Sequence, residues 1–324
     1  MASSATTSDA ASAAPNDAGE AAGGSSAEGD GWPSNLAGLR AELDKIDDGI
    51  HDLLMRRADL VGYLASSRFK TPGVALRPGR EADIVRRLVA RHRGKLPPSG
   101  IARIWRELLA ATTGMQSPQT VAVCEPEAGS GYVQIAREHF GALTPVRTHS
   151  TPGQVLADVK AGAASVAVLP LPSETEPPGA AWWTALFFRD TPRLHVIARL
   201  PFWAPRPEGA PAAPAMVIAA FPADPSQADR TLLGLEMPLD GSRARLSAAI
   251  AAAGLSAGAT ILRRDPGMEA ARALVEVEGM VAEDDPRLEA VGGALRRPIV
   301  LGAYAVPIGT VPGGASSPSH TGGR

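Results

Sequence analysis

Across residues 35–69 the chain contains no proline, and its only internal glycines are Gly38, Gly49 and Gly62. Apolar residues return at Leu36, Leu39, Leu43, Ile46, Ile50, Leu53, Leu54, Leu60, Val61 and Leu64, in steps of three and four. That is the period of an amphipathic helix. At 1.5 Å per residue the helix would run roughly 50 Å. Two shorter helices of the same chain cannot cover that length. The spacing therefore predicts a partner subunit over the remainder, and an intertwined dimer.

Charged side chains interrupt the stripe. Arg57 stands four after Leu53 and four before Val61, and Arg68 stands four after Leu64. At 100° per residue Arg57 and Arg68 differ by about 20° and lie roughly 16 Å apart along the axis, so two guanidinium arms can converge on one small anion. Arg40 flanks Leu36 and Leu43 but lies about 25 Å further back, rotated by about 100°. It cannot reach the same pocket within one subunit; in an antiparallel dimer it enters the partner's.

A second helix is predicted from Pro78, a favourable first-turn residue, to Gly94, with Ile84, Val85, Leu88 and Val89 as its apolar face. Glu81 shares that face, and Arg80 is its neighbour. A third helix follows Pro97-Pro98, with Ile101, Ile104, Trp105, Leu108 and Leu109, and Thr112 and Gln116 continue its stripe. Any one of these polar residues reads most simply as an internal salt bridge or a stripe edge. Together, Arg57, Arg68, Arg80, Glu81, Thr112 and Gln116 describe a cavity in which cations outnumber the one acid. Burying such charges without partners is expensive, which leaves room for a dianionic guest.

On these residues the segment 35–117 resembles the all-helical class of chorismate mutases. The matching stretches are Leu39-Arg40 to Ile46-Asp47, Leu53-Leu54-Met55-Arg56-Arg57, Arg77-Pro78-Gly79-Arg80-Glu81, and Thr112 with Gln116. The resemblance implies a pericyclic rearrangement of chorismate to prephenate, in the shikimate pathway to phenylalanine and tyrosine, with no cofactor and no metal. It implies that Arg68, Gln116 and Glu81 are catalytic, with Arg68 and Gln116 facing the breaking ether oxygen and Glu81 the ring hydroxyl. Arg40, Arg57, Arg80 and Thr112 would bind substrate, Arg40 from the other subunit of a homodimer. Two positions depart from the family: lysine is usual where Arg68 stands, and some members carry an acid where this chain has Arg77. Arginine and lysine differ in shape and hydration, so retuned activity is expected.

Ser117-Pro118 ends the helical pattern. Stretches 120–124, 165–169, 194–200 and 215–221 read as strands, and 132–140 and 151–161 as helices, which makes an α/β layer. Gly129 and Gly131 lack the Lys-Ser/Thr that would complete a phosphate loop. Trp182-Trp183 and Phe187-Phe188 read as core or interface, and 201–214 as an exposed, mobile loop. Residues 118–226 resemble a degenerate prephenate dehydratase domain, on 121–141 and 162–170. The family's Glu-Asn-Ser is replaced by Leu171-Pro172-Ser173-Glu174, and its Thr-Arg-Phe by Ala213-Pro214-Ala215. Dehydratase chemistry is therefore not expected.

Residues 227–309 read strand, helix, strand, strand, helix, strand, the α+β ferredoxin-like order. They resemble an ACT regulatory domain on 274–279 and 302–306. An aromatic amino acid is thus a candidate effector, although phenylalanine-binding signatures are not evident. Residues 1–34 and 310–324 read as disordered tails, and the first lacks the basic start and apolar centre of a secretory signal.

A length of 324 residues with 44% hydrophobic content suits two or three globular units, so the expected fold is multidomain. A net charge of −2 gives no case for nucleic acid or anionic membranes, and no apolar run approaches a membrane span. The single cysteine, Cys124, reads as a buried strand residue and fits a reducing, cytoplasmic setting. The six histidines lack ligand spacing, so no metal site is expected. The competing functions are a bifunctional mutase and dehydratase, a non-catalytic amino-acid sensor, and a bare dimerisation unit.

Overall fold

A computed structural model describes residues 32–67, 75–188, 190–292 and 296–309. Arg68 and most of the two tails lie outside the described residues. The chain divides into two compact units, 1–57 and 58–324. The division falls inside the first helix.

That helix, α1 (Leu36–Ser66), starts where Asn35 Oδ1 accepts the Gly38 N–H at 2.7 Å, a side-chain N-cap. No residue of α1 is buried. Its stripe lies open, with Leu36 at 62% and Leu53 at 66% exposure. Helices α2 (Pro78–Arg91) and α3 (Pro98–Gln116) both begin on a proline. They pack together through Val85, Ala102 and Leu109.

Next come β1 (Val121–Cys124), α4 (Tyr132–Phe140), β2 (Val146–His149), α5 (Pro152–Lys160) and β3 (Val166–Pro170). A 3-10 segment over Trp182–Phe187 leads to β4 (His195–Leu200) and β5 (Ala215–Ala219). The remainder is β6 (Asp229–Met237), α6 (Arg243–Ala252), β7 (Ala257–Arg263), β8 (Ala271–Glu278), α7 (Pro286–Gly292) and β9 (Ile299–Ala305). Strand β2 escapes a hydrophobicity reading because it is an edge strand whose sequence, Val-Arg-Thr-His, offers one apolar residue.

Among the described residues nine strands form one sheet, ordered β2-β1-β3-β5-β4-β9-β6-β8-β7. β1 runs parallel to β2 and β3, while β5 is antiparallel to β3 and β4. The last four strands are antiparallel in the order β9-β6-β8-β7, the ferredoxin-like arrangement. The halves join where β4 meets β9 at Val196 and Gly302. Gly302 has φ +136, and a Cβ there would collide with the Val196 backbone, so only glycine permits this approach.

Alternation along the strands sorts the cores. Val121 and Val123 face a cluster closed by Ile135 and Ala136 of α4, while Ala122 and Cys124 face the opposite one. That opposite cluster spans both halves of the sheet and holds Trp182, Trp183, Phe187, Leu232, Leu274 and Tyr304. Leu233, Leu235 and Met237 look the other way, toward Leu246 and Ile250 of α6 and Leu288 and Val291 of α7. The tryptophan pair is core as expected, whereas Phe188 is exposed. The start of the 201–214 loop is not simply exposed: Phe202 and Trp203 pack on α2 and α3.

Candidate active site

Pro78 and Gly79 put the first turn of α2 against the 224–226 segment. There Asp224 accepts the Gly79 N–H at 2.9 Å and the Arg80 N–H at 3.1 Å. A carboxylate at a helix N-terminus satisfies otherwise orphaned donors and meets the positive end of the dipole. Gly79 is needed for it, since a Cβ would strike the Asp224 and Pro225 carbonyls. Arg77 joins the same carboxylate at 3.3 Å, so its departure from the family pattern has a local partner. Further along α2, Arg86 donates to Ser226 Oγ, Ala228 O and Val306 O, at 3.0, 3.0 and 2.6 Å. The helix is clamped to the sheet body.

One turn into α2, the Glu81 side chain is buried, as its place on the stripe predicts. It pairs with Arg106 of α3, whose Nη1 donates to Glu81 Oε2 at 3.1 Å. The two side chains are 10% and 8% exposed. The Arg106 guanidinium also lies 4.6 Å from the centroid of the Phe202 ring, a cation–π contact. Burial lowers the Arg106 pKa, and Glu81 opposes that shift. Arg106 keeps its charge, because an arginine starts so far above neutrality.

Arg106 is the residue that sequence reasoning missed. The expected face of α3 ran through Ile101, Ile104, Trp105, Leu108 and Leu109 to Thr112 and Gln116. Leu109 and Thr112 are buried as that face requires, but Ala102, Arg106 and Thr113 are buried with them, and Ile104 is exposed. The signal was present: Arg106 lies four after Ala102 and three before Leu109. A row judged by hydrophobicity passes over an arginine.

Thr112 is buried, and its hydroxyl donates to Leu108 O at 2.9 Å and Leu109 O at 3.2 Å. Gln116 follows one turn later, its Nε2 donating to Thr112 O at 3.1 Å. Arg80 uses its backbone on Asp224, and its side chain is exposed. Arg40 is exposed and Arg57 half-buried, both in the 1–57 unit. Arg68 lies outside the described residues. Glu81, Thr112 and Gln116 thus share the α2–α3 pair, while Arg40 and Arg57 belong to the other unit.

Residues 39–117 match the family of type II chorismate mutases. That interval contains α2, α3 and nearly all of α1. The mutase-type match covers roughly a quarter of the chain, and wider similarity comes from longer proteins. The bifunctional chorismate mutase/prephenate dehydratase of Pseudomonas aeruginosa is 29% identical over 146 residues, 44% of this chain and 40% of its own. That of Neisseria gonorrhoeae is 31% identical over 137 residues, 42% of this chain and 37% of its own. The chain thus spans about 40% of the length of the curated relatives it matches. A solved prephenate dehydratase from Streptococcus mutans overlays 58% of this chain and 98% of its own, with 14% identity and a TM-score of 0.43.

Outside the mutase-type segment, two sequence features acquire structural roles. The α4 N-terminus, which carries Gly129 and Gly131, is filled by Glu125, whose carboxylate accepts the Gly131 and Val133 N–H groups at 3.1 Å each. A phosphate would meet that negative charge. Glu174, within the 171–174 stretch that replaces Glu-Asn-Ser, and Glu176 just after it staple the two halves of the sheet. Glu174 pairs with Arg243 and accepts the Leu262 N–H at 3.1 Å. Glu176 accepts the Trp183 Nε1–H at 2.8 Å, and its carbonyl accepts from Arg263 at 2.8 Å. Cys124 is fully buried, and burial pushes its thiol up to about 11, an inert core residue.

Proposed function

We propose that the chain is a chorismate mutase, an isomerase that converts chorismate to prephenate in phenylalanine and tyrosine biosynthesis. The observation that carries this reading is the family match over 39–117, because Arg40, Arg57, Arg68, Arg80, Glu81, Thr112 and Gln116 all fall inside it. The rearrangement needs no nucleophile. It needs the enolpyruvyl arm held over the ring, which is orientation, and donors preorganised for charge on the breaking ether oxygen. Arg40, Arg57 and Arg80 suit the two substrate carboxylates through bidentate contacts, with the Thr112 hydroxyl beside them. Arg68 and Gln116 meet the ether oxygen. Glu81, held by Arg106, accepts from the ring hydroxyl.

The open stripe of α1 supports a homodimer in which a second chain covers it and supplies Arg40 in trans. Residues 118–226 are the dehydratase-like segment without dehydratase chemistry, and 227–309 the ACT-like segment, supported by their ferredoxin-like strand order. An aromatic amino acid is the candidate effector, and the cytoplasm the setting. The test is turnover of the purified full chain on chorismate, with and without phenylalanine and tyrosine. Chorismate loss with prephenate formation is expected. A rate no faster than the uncatalysed one overturns the proposal. Phenylpyruvate appearing from prephenate at neutral pH would favour the bifunctional alternative; none is expected.

A further inference from the structure

Helices α3 and α4 and the segment after β4 enclose a cavity of about 660 Å³, a volume typical of small-molecule sites. It lies within the 58–324 unit. Phe202 and Trp203 provide aromatic walls, and four guanidinium groups line it: Arg103, Arg106, Arg137 and Arg206. Three of these are engaged. Arg206 grips both oxygens of Glu138 at 2.5 and 2.6 Å, and Arg106 holds Glu81. Arg137 donates to Ala142 O at 2.5 Å, while Glu107 in the same wall accepts the Ala142 N–H at 2.9 Å. Arg103, exposed on the cavity wall, enters none of the ion pairs found among the described residues, in contrast to Arg106 and Arg206. Against four cations stand the carboxylates Glu81, Glu107 and Glu138, which leaves one positive charge in excess. His139 lines the same wall and adds none, since burial and then Arg106 hold its pKa well below 6.5.

One surplus charge beside aromatic walls selects its guest. A dianion would leave the cavity net negative, a zwitterion would set its ammonium group among the guanidinium groups of Arg103, Arg106, Arg137 and Arg206, and a neutral ring would ignore Arg103. We propose that this cavity binds a small aromatic monocarboxylate, its ring against Trp203 and Phe202 and its carboxylate toward Arg103. Arg106 faces the cavity and also holds Glu81, so a bound anion draws on the guanidinium that positions that carboxylate. Ligand binding therefore changes chorismate turnover. This last consequence rests on the mutase reading; the binding itself does not.

The test titrates the full chain with phenylacetate and 3-phenylpropionate by calorimetry and tryptophan fluorescence, beside 2-phenylethanol and L-phenylalanine. Saturable binding of the two carboxylates is expected, with the alcohol and the zwitterion at least about tenfold weaker, the worth of one charged hydrogen bond. Arg103→Glu should weaken carboxylate binding by about tenfold or more and leave basal turnover unchanged. Trp203→Phe should remove the fluorescence response. Binding that both substitutions leave intact, equal binding of alcohol and carboxylate, or no saturable binding at millimolar ligand overturns the proposal. Should Arg103→Glu not fold, the ligand series on the parent protein decides. Absence of chorismate turnover in the parent would remove the mutase reading and leave the binding result standing.

Discussion

Helix α1 and the α2–α3 pair carry the same kind of sequence, an apolar stripe broken by charge, and meet opposite fates. Leu53 of α1 is 66% exposed, whereas Val85 of α2 and Leu109 of α3 are buried by their own chain. The charges differ likewise. Arg40 is exposed, while Glu81 and Arg106 neutralise each other in the interior. A periodic stripe specifies that an element will be covered, but not by what. Scattered exposed leucines need no explanation; a stripe running the length of a helix does.

That contrast can be broken most severely on α1. Ile50→Glu with Leu53→Glu should abolish self-association in sedimentation and lower turnover by at least about 10³-fold, because the proposed site is completed by a second chain. An unchanged sedimentation coefficient and rate would make the stripe a mere exposed face. On the covered side, Arg106→Ala breaks the buried Arg106–Glu81 ion pair, and should cost about 3–5 kcal/mol in a denaturant titration. The double change Glu81→Leu with Arg106→Leu should return to within about 1 kcal/mol of the parent yet stay inactive. That outcome separates stability from catalysis at one pair.

Next in size is Arg68→Ala, expected to reduce kcat by about 10²–10³-fold with the fold intact. A near-normal rate would reject its assignment. The smallest effect is on pH. Burial lowers the pKa of both His139 and His195, so below about 6.5 the unfolded chain takes up protons that the folded chain refuses. Stability is fully present above that value and falls as pH drops. The Tm should decrease by roughly 2–4 °C per kcal/mol lost between pH 7 and 5. Gln116 does not titrate, so the rate should stay flat across neutral pH; a sharp acidic optimum would count against its role.

Much of the fold was legible. Proline at the first turns of α2 and α3 and the strand-helix alternation gave element order to within a few residues, because local backbone preferences act over a few residues. The site was legible in part. The buried Glu81 follows from its place on a stripe. Its partner Arg106 does not, because choosing among the arginines of α3 requires knowing which row faces α2. The cap from Asp224 is harder still, lying 145 residues from Gly79.

Taken alone, the amino-acid order determined which segments are helix or strand, which faces are apolar, and which polar residues break those faces. All of these follow from propensity and period. Only the tertiary structure decided that the strands of both downstream segments share one sheet, joined where Gly302 admits Val196, and that α2 is anchored by Asp224 and Arg86. Such contacts depend on distances between groups far apart along the chain, and no local pattern encodes them.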